Sequence, residues 1–245
     1  MRKTFMRLAS LLTSTSRGRH IMVKHVSLGI LLAGVLSAIA GVALAAGPPT
    51  AVTCGDTITA PGQYFLLGDC RGAGITITAS DVHLKLAGHT MTGSLPLVFD
   101  GVSASNVSHV HIEGPGTITN YNNGINFVRV SDSNVEQVSS TANRRGLYLF
   151  NSTTDTHVNN NIFSRNALTG VLVVEVSSDN HLNNNETISN GTYGIGVATG
   201  STGNHVNGDT ALGNGLFDLF DGNPNCDNNK WNGNTFVSAN MSCIH

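Results

Sequence analysis

Short apolar segments recur along the chain at an almost constant spacing. Each is an apolar-x-apolar triplet introduced by a glycine, and successive glycines are 23, 22, 24 and 24 residues apart. The glycines are Gly101, Gly124, Gly146, Gly170 and Gly194, and Asp218 continues the series after another 24 residues. Alternation of apolar and polar positions with many β-branched residues predicts strands, and a fixed period of this length predicts a repeat fold.

A second strand is predicted about a dozen residues after each glycine, from the same alternation. Its inward residues are predicted to be Ile112, Val135, Val158, Leu182, Val206 and Trp231. One rung cannot bury its own apolar face, whereas rungs stacked about 4.8 Å apart bury a continuous core and pair their backbones in parallel ladders. The sequence therefore predicts an all-β fold, a right-handed, single-stranded parallel β-helix (a solenoid) of about seven rungs.

A third column consists of asparagines, at Asn120, Asn143, Asn166, Asn190 and Asn214. We expect a ladder of stacked amides at a turn, because the amide group offers donors and acceptors to the rungs on either side. Asparagine also tolerates the left-handed backbone of a tight corner, and the glycine just beyond it is expected to add positive-φ freedom.

The N-terminal part of the chain has a different pattern. A basic stretch at residues 22–25 precedes an apolar run at 26–46 that contains the small-x-small sequence Ala43-Leu44-Ala45. This arrangement predicts a secretory signal peptide, with residues 1–45 removed as leader and signal, and with Met1 or Met22 as the start. A transmembrane anchor is the alternative, because the run is almost long enough to cross a bilayer. We expect a secreted or periplasmic protein whose mature form has no membrane span.

Removal of the leader changes the charge of the protein. Six basic residues and no acidic residue precede Ala45, so the mature chain has seven Lys and Arg against fifteen Asp and Glu, a net charge of −8. A surface of this sign repels phosphate backbones and argues against binding of nucleic acid. It offers no general attraction for polyanionic sugars, which would need a local basic patch. We expect a monomer.

Four cysteines lie in two pairs at the ends of the mature chain, Cys54 with Cys70 and Cys226 with Cys243. These sequence-local disulfides close two loops of similar size, whereas the other pairings would join opposite ends of an elongated solenoid. Paired thiols fit an oxidising compartment. We therefore predict an N-terminal cap at residues 46–74, rungs at 75–222 and a C-terminal cap at 223–245, with a disulfide in each cap.

Several segments resemble bacterial right-handed parallel β-helix repeat proteins of the pectate-lyase-like superfamily. They are the asparagine-rich stretches 180–185 and 204–207, the opening 54–59, the stretches 82–84 and 88–93, and the closing 223–231 with 243–244. The resemblance implies the fold, but the group includes lyases, hydrolases, epimerases, adhesins and copper-delivery proteins, so it implies no single activity. The catalytic motifs are absent: Gly88-His89 precedes Thr90 instead of glycine, and there is no Asp-Asp pair and no Tyr-Gly-x-Asp-Pro-His run.

Histidines occupy the position just before the second inward residue. In successive rungs this column reads His83, His111, Asn134, His157, His181, His205 and Lys230. By alternation these side chains point outward. A solvent-exposed ladder of stacked imidazoles is the favoured interpretation, because stacking directs ring faces rather than ring nitrogens at each other. The alternative is a Cu or Zn site at His157, His181 and His205, with an analogy in the copper-delivery proteins of the group; no other cofactor is expected.

A second outward face carries weak candidates for a catalytic or binding site: Arg129, Arg144, Arg145, Tyr148 and Glu175. A binding groove would use Tyr148 as a stacking platform for a sugar ring. A lyase would use an arginine or the tyrosine as base and another arginine to hold the sugar carboxylate. An ordinary solvated face is the third interpretation.

The combined pattern favours a secreted protein that presents a polar stacked face to a polysaccharide or cell-envelope glycan without catalysis. One alternative is a polysaccharide lyase or epimerase acting on uronate-containing glycans. The other is a periplasmic metal-binding protein. Because the catalytic motifs of the resembling enzymes are absent, we expect a non-enzymatic role.

Overall fold

The computed structural model describes residues 47–94 and 96–245, so the predicted leader at residues 1–45 lies outside the described residues. The described chain winds as a right-handed parallel β-solenoid of about seven turns, which confirms the predicted fold class. Its strands fall into three rows that run along the solenoid axis, named here face A, face B and face C. Each strand pairs in parallel with the strand one turn away, so like positions lie above one another.

The three faces divide the strands as follows. Face A consists of β1 (Thr50–Val52), β3 (Gly62–Leu66), β6 (Val82–Lys85), β9 (Val110–Thr119), β11 (Ser133–Thr141), β13 (Thr156–Asn159), β16 (His181–Asn183), β19 (His205–Asn207) and β22 (Lys230–Asn232). Face B consists of β2 (Thr57–Ile58), β5 (Ile75–Ile77), β8 (Val102–Ser105), β10 (Asn123–Val128), β12 (Arg145–Phe150), β15 (Val171–Val173), β18 (Tyr193–Val197) and β21 (Phe217–Asp221). Face C consists of β4 (Cys70–Arg71), β7 (Thr90–Thr92), β14 (Ile162–Ser164), β17 (Glu186–Ile188), β20 (Thr210–Leu212) and β23 (Thr235–Phe236), with the second halves of β9 and β11.

The core consists of vertical columns of apolar side chains, one from each strand row. On face A the predicted column Ile112, Val135, Val158, Leu182, Val206 and Trp231 is in register throughout. On face B the column is Val102, Ile125, Leu147, Val171, Ile195 and Leu219. All twelve side chains are at most 1% exposed, which confirms both inward columns. Burial of each larger side chain stabilises the fold by roughly 1.5–3 kcal/mol.

The predicted amide ladder exists, but its first member was wrong. It consists of Asn143, Asn166, Asn190 and Asn214, and each accepts the backbone N–H of the equivalent residue one rung earlier. One rung before Asn143, the equivalent residue is Tyr121, whose backbone N–H donates to Asn143 Oδ1 at 2.9 Å. Asn120 is therefore one residue out of register, and its side chain is exposed.

The left-handed corner falls on the residue before each ladder asparagine, which is Ala142, Arg165, Ser189 or Gly213. Of the five predicted asparagines only Asn120, with φ 62°, has the expected left-handed backbone. The repeating glycines have no positive φ. They are required for space: a Cβ on Gly170 would lie 2.6 Å from the carbonyl oxygen of Gly194 and 2.9 Å from Nδ2 of Asn190. The glycine column thus makes room for the next rung and for the amide ladder.

Two further buried ladders follow the other corners of the later rungs. One consists of Asn161, Asn185, Asp209 and Asn234, and the other of Asn180, Asn204 and Asn229. In both, a backbone N–H and a side-chain Nδ2 donate to the same Oδ1 of the next rung, as from Asn161 to Asn185 at 3.1 and 3.0 Å. Their members recur every 24 or 25 residues, so the signal was present in the sequence and was missed.

Both predicted disulfides are present, Cys54–Cys70 and Cys226–Cys243. Strands β1–β4 and β22–β23 in the two terminal segments pair with the rungs beside them, and one turn of 3-10 helix (Pro224–Cys226) begins the C-terminal segment. In the part of the chain that the structure describes, no helix has the length and apolar character needed to cross a membrane.

Candidate functional site

The outward surface of face A carries two adjacent columns of side chains. The first is the predicted column His83, His111, Asn134, His157, His181, His205 and Lys230, whose register is confirmed. The second lies two residues further along each strand and reads Lys85, Glu113, Glu136, Asn159, Asn183, Asn207 and Asn232. The character of both columns changes between the early and the late rungs.

In the early rungs the two columns form hydrogen-bonded pairs across neighbouring strands. His83 Nε2 lies 2.5 Å from Glu113 Oε2, and Lys85 Nζ donates a hydrogen bond to Glu113 Oε1 at 3.2 Å. His111 Nε2 lies 2.8 Å from Glu136 Oε1 in the same way. The rings of His83 and His111 stack with centroids 4.3 Å apart and planes at 6°. His83, His111 and Glu113 each place a potential ligand atom within 4.8 Å of the others.

The protonation of this cluster follows from its surroundings. Burial lowers the pKa of His83, and the hydrogen bond to Glu113 only partly offsets this effect. Burial alone would raise the pKa of Glu113, but hydrogen bonds from Lys85 and His83 outweigh it and hold the pKa below the ordinary value. At neutral pH the cluster therefore presents a neutral imidazole beside a carboxylate, and these are the forms in which both groups bind metal ions.

In the late rungs the imidazoles form the expected ladder. The rings of His157 and His181 stack at 4.9 Å and 7°, and those of His181 and His205 lie 4.7 Å apart with a tilt of 52°. Burial lowers the pKa of His181, and the charges of His205 and His157 lower it further, while Asp155 and Asp179 raise it. The adjacent column is an outward amide ladder of Asn159, Asn183, Asn207 and Asn232, in which only Asn232 is exposed. A metal site at these three histidines stays a prediction.

On face B the structure brings Arg145 and Tyr148 together. The guanidinium carbon of Arg145 lies 4.8 Å from the centroid of the Tyr148 ring, and Phe150 stacks on the same ring at 5.2 Å. All three side chains leave the outer side of β12 and are partly buried. Burial lowers the pKa of Arg145 and raises the pKa of Tyr148. Tyr148 therefore stays protonated at neutral pH and is a hydrogen-bond donor rather than a base.

A polar cluster lies one and two rungs below this pair. Asp100 accepts hydrogen bonds from Asn122 Nδ2, from the N–H and Nδ2 of Asn123, and from Asn126 Nδ2 at 2.7 Å. Two buried polar atoms beside it, Asn126 Oδ1 and Arg145 Nε, have no hydrogen-bond partner. Most buried polar atoms in native proteins are paired, so these two are exceptions within the cluster.

The other predicted residues of this face are more dispersed. Arg144 is exposed, and its charge lowers the pKa of Tyr148. Glu175 is exposed at a left-handed corner, and its charge raises the same pKa. Arg129 sits at another left-handed corner and donates to Asn106 Oδ1 at 3.3 Å. The structure thus groups Arg144, Arg145 and Tyr148, with Glu175 in electrostatic range and Arg129 apart.

Three acidic residues of these clusters were not singled out from the sequence. Glu113 and Glu136 follow the histidine column by two residues, so alternation already places them on the same outward surface. Asp100 immediately precedes a repeat glycine, outside the alternating strand pattern, and only the folded chain shows its contacts. The first two could have been found by extending the outward column; the third could not.

Comparisons with known proteins agree with this architecture. The family model described as "Right handed beta helix region" matches residues 64–211. No curated protein sequence matches the chain. A crystal structure of a variant of the periplasmic alginate epimerase AlgG is similar, with a TM-score of 0.51 and 15% identity over 75% of this chain and 49% of that one. The A-module of the Azotobacter vinelandii mannuronan C-5 epimerase AlgE6 has a TM-score of 0.45 and 16% identity over 77% of this chain and 67% of its own.

The chain spans about half the length of the AlgG structure. At this identity the similarity shows the fold alone, because one fold supports many unrelated activities.

Proposed function

The chain belongs to the right-handed β-helix family, and from that premise we propose that it binds a uronate-containing polysaccharide at Arg144, Arg145 and Tyr148 without changing it chemically. The Arg145–Tyr148 pair carries the proposal, because it holds a partly buried guanidinium against a phenol ring on an outward face. A guanidinium offers planar, bidentate donors to a carboxylate, and an aromatic side chain offers an apolar surface with a polar tip to a sugar.

The distribution of charge supports the same surface. Two of the seven basic residues beyond residue 45, Arg144 and Arg145, are adjacent on this surface, although residues 46–245 carry fifteen Asp and Glu. Such a local patch is what a polyanionic sugar needs, since the whole surface has the wrong sign to attract it.

Aromatic residues extend the surface along the axis. Tyr193 and Phe220 stack at 4.4 Å, two and three rungs beyond Tyr148 on face B. At about 4.8 Å per rung the span from Tyr148 is roughly 10–14 Å, enough for more than one sugar unit. A polysaccharide lying along face B would contact a cationic end and an aromatic end.

We also propose that this binding takes place outside the cytoplasm. The two disulfides fit an oxidising compartment, and the predicted signal at residues 1–45 supplies the export route. The structurally similar AlgG is described as periplasmic. The expected partner is therefore a glycan of the cell envelope or of the surroundings.

An epimerase or lyase acting on the same polymers is the second candidate. The fold similarity to AlgG, which is described as an alginate epimerase, favours it. The raised pKa of Tyr148 opposes it, because a base that abstracts a proton at neutral pH needs a lower pKa. Binding without turnover therefore fits the site better.

Titration calorimetry of the purified protein with alginate, pectate and neutral dextran tests the proposal. We expect binding of a uronate polymer that weakens about tenfold or more in Arg145→Gln, since a buried charged hydrogen bond to a carboxylate is lost. Arg165→Gln, an exposed arginine outside face B, is the matched control and should leave the affinity unchanged. Equal affinity for dextran, or equal loss in both variants, would refute the site.

Product analysis separates binding from catalysis. A rise in the absorbance of unsaturated uronates during incubation, or a changed ratio of epimers in the polymer by NMR, would replace the binding proposal by the second candidate. Loss of that signal in Tyr148→Phe would assign the phenol to the reaction.

A further inference from the structure

We propose that His83, His111 and Glu113 form a binding site for one divalent transition metal ion, Zn²⁺ or Cu²⁺, on the outward surface of face A. The three side chains come from the neighbouring strands β6 and β9. His111 and Glu113 are two residues apart on β9 and so point to the same side, and His83 is the register partner of His111. One potential ligand atom from each lies within 4.8 Å of the others.

The donor set suits these metals. Imidazole nitrogen and carboxylate oxygen are common ligands of zinc, and imidazole also suits copper. Bonds of about 2.0–2.2 Å in a tetrahedral site place donors roughly 3.3 Å apart. His83 Nε2 and Glu113 Oε2, now 2.5 Å apart, must therefore separate slightly to admit an ion, and no donor pair has more than 4.8 Å to close. The side chains of His83, His111 and Glu113 are 26%, 30% and 27% exposed, which leaves them room to rotate out of the stacked arrangement.

A second carboxylate lies next to the site. Glu136 Oε1 is 2.8 Å from His111 Nε2 and belongs to the strand after Glu113 in the same outward column. It can therefore move onto the ion as a fourth ligand or hydrogen-bond a bound water at the fourth position. With two carboxylates and one ammonium, the cluster keeps a net negative charge that attracts a divalent cation.

Lys85 competes with the metal. Its Nζ lies 3.0 Å from Glu113 Oε2, on the carboxylate that would become a ligand. Binding of a cation must displace this ammonium, because like charges repel at that distance. Removal of Lys85 should therefore tighten metal binding, which is the opposite of the effect expected if Lys85 only stabilised the fold.

The late part of the histidine column supplies an internal comparison. His157, His181 and His205 have the same backbone register, but the adjacent column there consists of the amides Asn159, Asn183 and Asn207. An amide oxygen carries no charge and is a weaker ligand for these metals than a carboxylate. In the described part of the chain, the only set of three such donors within reach of one another is His83, His111 and Glu113.

Titration calorimetry of the purified protein with zinc chloride and copper chloride at neutral pH tests the site. We expect one saturable site whose affinity falls about tenfold or more in His111→Gln and in Glu113→Gln, since each removes one ligand. His181→Gln should change the affinity by less than about twofold, and Lys85→Gln should increase it. Circular dichroism of each metal-free variant shows whether the fold is retained.

Two results would overturn the proposal. One is the absence of saturable binding of either metal. The other is binding that His181→Gln abolishes and His111→Gln does not, which would place the ion in the late column instead. Neither result bears on polysaccharide binding, because face B lies on a separate row of strands.

Discussion

The inner corners of the solenoid are filled with apolar side chains in the early rungs and with amides in the late rungs. One column shows the whole change, from Val82 and Val110 through Ser133 and Thr156 to Asn180. Val110 N–H donates to the Ser133 hydroxyl at 2.9 Å, and Thr156 N–H donates to Asn180 Oδ1 at 3.1 Å. The strands pair in parallel on both sides of the change.

The other corners change one and two rungs earlier. Tyr121 precedes Asn143 in one column, and Val138 precedes Asn161 in another; each donates its backbone N–H to the first amide, at 2.9 Å. An apolar corner is stabilised by burial of its side chain, and this stabilisation depends little on which apolar residues occupy the rungs before and after. An amide corner is stabilised by hydrogen bonds to the rungs before and after, so each member depends on the next.

The outward surface of face A follows the same division. Histidine–glutamate pairs at His83 and His111 lie over the apolar corners, whereas imidazole and amide ladders lie over the amide corners. Repetition is therefore strongest in the late rungs, and the early rungs carry the chemically distinct cluster. The cluster of His83, His111 and Glu113 therefore lies in rungs where no amide ladder requires the same residue type at each equivalent position.

The largest expected effect is on the free energy of unfolding, which should fall more when an amide corner is truncated than when an apolar corner is. Asn185→Ala removes the acceptor of Asn161 N–H and the donor to Val158 O, and leaves both groups buried without a partner. At roughly 1–3 kcal/mol for each unpaired group, the free energy of unfolding should fall by about 4 kcal/mol. Val138→Ala removes two methyl groups and should cost about 2 kcal/mol. Urea unfolding followed by circular dichroism measures both.

Equal losses of unfolding free energy in Asn185→Ala and Val138→Ala would contradict the proposed difference between amide and apolar corners. Asn183→Ala, in the outward amide ladder of face A, is a control for the amide itself. Its partners are only partly buried and water can replace the lost bond, so it should cost less than about 1 kcal/mol.

The second effect comes from an acid inside an amide ladder. Asp209 accepts from Asn185 N–H and Nδ2 through Oδ1, but its Oδ2 is buried without a partner. Burial raises the pKa of Asp209 from 3.8 to about 7. The pKa of Asp209 is higher in the folded protein than in the unfolded chain. Its contribution to the free energy of unfolding is therefore fully present below pH 3.8 and is lost as the pH rises to about 7.

Asp209→Asn removes this loss and restores the missing Nδ2 donor. We expect the free energy of unfolding at pH above 7 to rise by about 4 kcal/mol, at roughly 1.4 kcal/mol per unit of displaced pKa. Below pH 4 the two proteins should differ little. A stability profile of Asp209→Asn that still falls between these pH values would assign the loss to another group.

A closely related aspartate shows why sequence alone could not make this distinction. Asp218 ends the Asn214 ladder, yet backbone and side-chain donors from Asn214 and from the turn at Val237 and Ser238 outweigh its burial and lower its pKa. The columns, the disulfides and the register followed from spacing, because a repeat fold places equal offsets above one another. The unpaired oxygen of Asp209 and the contact of Arg145 with Tyr148 depend on side-chain placement within a rung, which spacing does not encode.

The third prediction extends the amide ladder into the early rungs. Thr156→Asn places an amide of similar volume where Thr156 now donates only its backbone N–H to Asn180. The new Nδ2 would reach Asn180 Oδ1, as Asn180 Nδ2 reaches Asn204 Oδ1 at 3.0 Å. We expect a gain of about 1 kcal/mol by urea unfolding. Val110→Asn, in the apolar part of the same column, should instead destabilise the protein, and stabilisation by both would show that the two corners are interchangeable.

The smallest effect concerns charge within the late histidine column. Burial lowers the pKa of His181, and the like charges of His205 and His157 lower it further, so stability is lost as the pH falls below 6.5. His157→Asn introduces the residue that Asn134 already supplies one rung earlier, and should raise the pKa of His181 by removing one like charge. His205→Asn should raise it more, because His205 has the larger influence. NMR titration of the imidazole protons measures the pKa of His181 in both variants. An unchanged pKa in both would mean that burial alone lowers it. The charges of the late histidine column would then not interact, unlike those of the early column.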